Sequence, residues 1–227
     1  NSKDILKFEK EINIMNLSFS YENENILKNL CLKIKKGDSI GIIGPSGSGK
    51  STLINIFLGL IKPNSGDIKC DGKSILSRIY SWRNIVGYVP QSIFLIDDTI
   101  TKNIAFGFSD SNINHDRIKE VIKISQLEEF IRDLPNGLNT VVGERGVKIS
   151  GGQIQRIGIA RSLYHNPSIL VFDESTSSLD NIVEKQIISS IENLRKYNIT
   201  SIMVAHRLST LANCDFIYKL DENLIKT

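Results

Sequence analysis

Cysteine is scarce in this chain, and its spacing pairs nothing: Cys31, Cys70 and Cys214 are odd in number and far apart. Neither a Cys-x-x-Cys step nor a Cys/His grouping occurs, so a disulfide framework and a zinc site are both unsupported, and a reducing compartment fits best. Long apolar runs are missing as well, none approaching the roughly 20 residues that cross a bilayer. The opening "NSKDILKFEKE" does not have the basic-then-apolar order of a signal peptide. If the protein works at a membrane, another segment or chain supplies the crossing. Charge is nearly balanced, with 28 Lys and Arg against 25 Asp and Glu for a net +3. That excess is too small to indicate a nucleic-acid partner, which calls for a concentrated basic face. The one cluster, Lys33, Lys35 and Lys36, reads as a solvated turn.

With 227 residues, 41% hydrophobic and 23% charged, the chain suits one large α/β domain or two small ones and can bury a sizeable core. Residues 11–21, "EINIMNLSFSY", alternate apolar and polar with one slip near Met15, the pattern of a strand carrying a bulge. Leu30, Leu32 and Ile34 alternate again. "SIGIIG" reads as a buried strand, "STLINIFLGL" as the helix after it, and "DIKCDG" as a short strand. Residues 100–164 carry helical patterns, among them "DRIKEVIKISQLEEFIRDL", with Ile118, Val121, Ile122, Leu127, Phe130 and Ile131 near one repeat. "SILVFDE" and "TSIMVAH" are continuous apolar runs of the kind buried inside a parallel sheet. A helix over roughly 181–196 joins them into a βαβ unit. The expected architecture is a mostly parallel α/β core with a helical insertion between two core strands.

Three stretches carry chemistry. Gly44, Pro45, Ser46, Gly47, Ser48, Gly49, Lys50 and Ser51, followed by Thr52, match G-x-x-x-x-G-K-[ST] between a strand and a helix. Glycines there let backbone N–H groups point inward on phosphate oxygens, and the helix adds its positive end. Lys50 would reach the outer phosphates of a nucleoside triphosphate, and the Ser51 hydroxyl would ligate Mg²⁺. "SILVFDE" ends in two carboxylates: Asp173 suited to a Mg²⁺-bound water, Glu174 to orienting or deprotonating an attacking water. Capping of the next helix accounts for one of these acids but strains to account for both. Ser150, Gly151, Gly152 and Gln153 open an amphipathic helix, a second anion-binding end, although an ordinary serine cap would read the same. Two phosphate-binding helix ends with one lysine and one Mg²⁺ set suggest a symmetric pair of chains, each closing the other's site.

"GPSGSGKST", "YVPQ", "ISGGQIQR", "ILVFDESTSSLD" and "VAHR" occur in the order and spacing of an ABC transporter nucleotide-binding domain, which the chain resembles over nearly its whole length. The resemblance implies a P-loop NTPase (RecA-like) α/β fold: a mostly parallel sheet, an N-terminal antiparallel β subdomain, and an inserted helical subdomain over about 92–163 of a single domain spanning 1–227. It implies a head-to-tail homodimer clasping ATP and Mg²⁺ between the phosphate loop of one chain and the Ser150–Gln153 helix start of the other. Tyr21 then resembles the aromatic that stacks on adenine, and Gln91 the glutamine that touches Mg²⁺ or the water and couples to the membrane domain. His206 resembles the histidine that contacts the γ-phosphate, and Ser178 and Asp180 the loop that crosses the dimer.

"TITKNIAFG" and "TVVGERG" are similar to exporter-type cassettes, in which the ATPase follows its own membrane domain, with Glu144 resembling an acidic residue at that contact. Ile149 stands where leucine is usual, and Val141 where glutamate is common. The resemblance implies an ATPase powering export from the cytoplasmic face of the cell (inner) membrane; the sequence does not give the substrate, for which lipid, oligosaccharide and peptide are the candidates. Chromosome-maintenance and translation relatives share the motifs but need coiled-coil insertions or tandem cassettes, which this chain does not carry. A sensor that does not hydrolyse is disfavoured by the presence of both Glu174 and His206.

Overall fold

The computed structural model describes residues 5–22, 24–144, 146–147, 149–174, 181–221 and 224–226. A hairpin of β1 (Glu11–Tyr21) and β2 (Glu24–Lys35) comes first, followed by β3 (Ser39–Ile43), α1 (Lys50–Phe57), β4 (Ser65–Cys70) and β5 (Lys73–Ser74). Next are α2 (Ile79–Ile85), β6 (Val86–Val89), β7 (Asp98–Thr99), α3 (Ile100–Ile104), α4 (His115–Ile124), α5 (Glu128–Arg132) and β8 (Val141–Val142). The chain continues through α6 (Gly151–Tyr164), β9 (Ile169–Asp173), α7 (Asn181–Asn193), β10 (Thr200–Ala205), β11 (Phe216–Asp221) and β12 (Leu224–Lys226).

The antiparallel sheet has the order β2-β1-β4-β5. The slip expected near Met15 is a bulge: pairing with β2 shifts between Ile14 and Leu17, where Asn16 adopts φ 48°. The extra residue leaves Asn16 outward beside Met15, which is 44% exposed, and returns Leu17 to the core at 0%. The basic cluster is not a turn. Lys33 and Lys35 lie on the solvated face of β2, alternating with buried Leu32 and Ile34, and only Lys36 enters the turn. Lys33 pairs with Glu11 across the strands at 2.7 Å.

The larger sheet has the order β12-β11-β3-β10-β9-β6, parallel except for β12. Its central strands are apolar throughout because both faces are covered. Ile169 and Val171 of β9, with Ile202 and Val204 of β10, pack toward α1 and the antiparallel sheet. Leu170, Phe172, Met203 and Ala205 pack the other way, against α3, α4, α6 and α7. A strand buried on both sides shows no alternation, which is why "SILVF" and "TSIMVA" read as unbroken runs.

Helices α3 to α6 all fall between β6 and β9, which are neighbours in the sheet, so this stretch is inserted without separating the strands it joins. The pattern over 116–134 is two helices rather than one. Ser125 turns its hydroxyl back onto the carbonyls of Val121 and Ile122, and Gln126 takes φ 56°, which no helix continues through. Among the described residues no helix is long and apolar enough to cross a membrane.

Trp82 fastens α2 beneath the sheet: it is fully buried, its ring meets Phe57 edge-on at 5.2 Å, and its indole N–H donates to the Phe57 carbonyl at 2.6 Å. Trp82→Phe is expected to cost about 2–3 kcal/mol through lost volume and an orphaned carbonyl, read as a lower urea midpoint by circular dichroism.

Candidate nucleotide site

Strand register brings the site together. Ile43 of β3 pairs with Ala205 of β10, Val204 of β10 with Asp173 of β9, and Val89 of β6 with Phe172 of β9. Parallel strands end on one edge, so the residues leaving them (Gly44, His206, Glu174 and, one past Pro90, Gln91) emerge side by side. Ligands of open parallel sheets bind outside such carboxyl ends.

The Gly44–Gly49 loop turns from β3 into α1. Gly47 and Gly49 have φ 79° and 93°, which disfavour any side chain, and a Cβ on Gly49 would also meet the Ile26 carbonyl at 2.9 Å. A Cβ on Gly44 would press on the Leu220 carbonyl oxygen, so the loop runs flush against β11. Pro45, Ser46, Gly47 and Ser51 are exposed, whereas Gly44, Ser48, Lys50 and Thr52 are buried. The Lys50 ammonium, 5% exposed, donates to the carbonyls of Gly44 at 2.9 Å and Pro45 at 2.8 Å. Burial lowers its pKa, opposed by the nearby charges of Glu174 and Asp173. Ser48 Oγ is buried with no hydrogen-bond partner among the described residues, a polar atom left over inside the loop.

Asp173 is half-buried at the end of β9, and burial together with the Glu174 charge pushes its pKa up while a hydrogen bond from Tyr88 pulls it down. Glu174 sits in the left-handed region at φ 47°, its N–H donating to the Val204 carbonyl at 3.0 Å. Strain of this kind at a non-glycine residue gathers where side-chain direction matters. Its Oε1 lies 2.6 Å from Nε2 of His206, which is itself 44% exposed.

Tyr21 ends β1 half-exposed, its ring edge-on to Phe19 at 4.8 Å. Gln91 is exposed beyond β6, and its carbonyl accepts from the Gln155 side chain of α6 at 3.3 Å. Ser150 caps α6 through a reciprocal box: Gln153 N–H donates to Ser150 Oγ at 3.3 Å, and Ser150 N–H to Gln153 Oε1 at 2.8 Å. Ser150 and Gly151 face solvent, and Gly152 is buried. Helix α6 packs on α3, α4, α7 and β6, whereas α1, which continues the phosphate loop, packs on β9. Glu144 is exposed, and Ser178 and Asp180 lie outside the described residues. Sequence reasoning missed Tyr88, whose hydroxyl donates to Asp173 Oδ2 at 3.0 Å and whose pKa is pushed up to about 12 by burial and by the Asp173 charge. Its only signal was a polar-tipped aromatic inside "YVPQ".

These features fit a triphosphate and a divalent cation: a glycine cradle, an unpartnered serine hydroxyl, a lysine able to leave its own carbonyls, and an acid at a strand mouth. Among the described residues no group of three or more His, Cys, Asp or Glu could cage a metal. A hard cation here draws on hydroxyl, carboxylate and phosphate oxygens, as Mg²⁺ does. A sheet edge so equipped defines a P-loop nucleotide-binding domain.

Comparison with known proteins narrows this. The profile of the family described as ABC transporter matches residues 27–177. An ABC transporter ATP-binding protein of Bacillus subtilis, YwjA, itself uncharacterized, is 39% identical across 100% of this chain and 39% of its own length. The ATP-dependent lipid A-core flippase of Francisella tularensis subsp. holarctica is 37% identical over 99% of this chain and 37% of its own. The solved structure of a bacterial Atm1-family ABC exporter with ATP bound superposes with a TM-score of 0.86 at 38% identity, covering 98% of this chain and 39% of that one. The chain therefore belongs to the ABC transporter family and carries that family's ATPase domain. It spans about two fifths of the length of these relatives.

Asp173 has a folded pKa above its unfolded one, so its ionisation costs stability: the penalty is absent below the ordinary carboxylate value and complete above the raised one. Asp173→Asn is expected to raise the nucleotide-free melting temperature at neutral pH and leave it unchanged at pH 3, measured by calorimetry. Lys50→Met is expected to weaken ATP binding by on the order of a hundredfold, the scale of a lost buried charge contact, measured by isothermal titration.

Proposed function

We propose that the chain binds and hydrolyses ATP as one half of a head-to-tail homodimer, and that this work drives an exporter's membrane domain from the inner face of a membrane. Residues 1–227 act as a single ATPase domain, with a helical subdomain over about 92–163. The glycine loop from Gly44 to Gly49 and Thr52 hold the phosphates, Lys50 swings from its loop carbonyls to the outer phosphates, and Tyr21 stacks on the base. Ser51, Gln91 and, through water, Asp173 would hold Mg²⁺, which when bound would supply neutralisation of charge on the outer phosphates. Glu174 accepts the proton of the attacking water, and the 2.6 Å contact with His206 keeps one carboxylate oxygen engaged so the other faces the reaction. His206, half exposed, also contacts the outer phosphate. Ser150, Gly151, Gly152 and Gln153 of the partner chain cover the opposite side of the triphosphate, and Ser178 and Asp180 contact the other site.

The observation that carries the reading is the convergence of Gly44, Gln91, Glu174 and His206 on one sheet edge through three strand registers. Support for the dimer comes from the openness of that edge. Ser46, Gly47, Ser51 and His206 face solvent, and the capped start of α6, a second anion-binding end, is likewise exposed on a separate layer. A catalytic site that must exclude water needs a second surface to close it. The cargo is of lipid, oligosaccharide or peptide class; the flippase relative supports the lipid member of that set.

Glu174→Gln is expected to retain ATP binding, lower turnover by on the order of 10²- to 10⁴-fold, the scale of a lost general base, and accumulate a nucleotide-bound dimer in size-exclusion light scattering. Phosphate release per chain should rise with protein concentration. A rate per chain that stays constant on dilution would overturn the shared site.

A further inference from the structure

Tyr88 lies on β6 opposite Val171 of β9, so Asp173, two residues further along β9, is its diagonal neighbour on the same face of the sheet. That spacing is within reach of an aromatic side chain, and the phenol O–H donates to Asp173 Oδ2 at 3.0 Å. The main chain of Tyr88 is held separately: Ser162 of α6 donates its hydroxyl to the Tyr88 carbonyl at 2.7 Å, and Leu170 and Phe172 flank Val171 in the core beneath. Tyr88 keeps 37% of its surface exposed, so its hydroxyl is near solvent and is nevertheless turned onto the carboxylate.

We propose that Tyr88 is a positioning residue for the cation-binding carboxylate: its hydroxyl occupies Oδ2 of Asp173 and so leaves Oδ1 to accept from a water that Mg²⁺ would hold. This rests on the reading of Asp173 as a magnesium residue. Mg²⁺ demands near-ideal octahedral geometry and keeps much of its water, so a carboxylate free to swing about its χ2 axis serves it poorly. Groups hydrogen-bonded behind a ligand fix its orientation, and they are felt in metal affinity rather than in the fold. Ser162 places the same strand under the hold of α6, the helix whose start is Ser150, so the carboxylate and that helix are joined through Tyr88 by two hydrogen bonds.

The test is equilibrium binding of a non-hydrolysable ATP analogue to the full chain, by isothermal titration in EDTA and across a Mg²⁺ series, for wild type, Tyr88→Phe and Asp173→Asn. Tyr88→Phe should bind the analogue as wild type does in EDTA but lose roughly tenfold of the affinity that Mg²⁺ adds, the scale of a lost contact behind a metal ligand. An unchanged Mg²⁺ gain in Tyr88→Phe, or an equal loss with and without Mg²⁺, overturns the positioning role. If Asp173→Asn keeps the full Mg²⁺ gain, the magnesium reading of Asp173 fails and the role of Tyr88 with it. If Asp173→Asn loses the gain while Tyr88→Phe keeps it, only the role of Tyr88 falls.

Discussion

Four parallel strands ending in register make the rest of this molecule possible. A parallel pair aligns its carboxyl ends without a hairpin, so groups far apart in sequence leave the sheet along one edge, each strand about 4.8 Å from the next. Here the alignment of β3, β10, β9 and β6 delivers a phosphate cradle, a histidine, a pair of carboxylates and a glutamine to one edge. Its cost is that the strands must be covered on both faces. The antiparallel sheet and α1 supply one cover, and the inserted helices with α7 supply the other.

The edge works against the stability that surrounds it. Lys50 carries its charge at 5% exposure, Asp173 is pushed toward protonation, Glu174 holds a left-handed backbone, and Ser48 Oγ has no partner among the described residues. Each feature is unfavourable taken by itself, and under the proposed reading phosphate oxygens and a cation would offset the cost at Lys50, Asp173 and Ser48. The affinity of such a site comes partly from settling groups the fold leaves unsettled, and this preorganised polarity serves phosphoryl transfer. The core around it has no such tension: Trp82, Phe172, Ile56 and Ile40 are all at or below 1% exposure.

Helix α6 carries a different kind of constraint. Its start is closed by the box between Ser150 and Gln153, while its body ties to β6 through Ser162 on the Tyr88 carbonyl and to the turn beyond β6 through Gln155 on the Gln91 carbonyl. The capped start of α6 and the sheet edge that carries Asp173 are thus connected through hydrogen bonds. A rigid link of this sort suits a device in which a partner's nucleotide is felt at a chain's own site.

Much of this was written into the local sequence. The glycine loop could be read because cradling a phosphate needs specific residue types at fixed spacing, and the unbroken runs of β9 and β10 because a strand covered on both faces has no polar side. The bulge at Asn16 showed as a slip in alternation. The sequence did not carry the break at Gln126, where apolar spacing alone prolonged the helix, or the strand position of Lys33, paired to Glu11 at 2.7 Å. Nor did it carry the partners of the catalytic groups. Glu174 with His206, and Tyr88 with Asp173, are 32 and 85 positions apart, and each pair exists only because β6, β9 and β10 lie side by side in one register. Local sequence thus determined which chemical groups the chain carries and which element bears each of them. Which groups touch was decided by the packing of strands distant along the chain, since a one-residue slip in any register would turn these side chains to the opposite face.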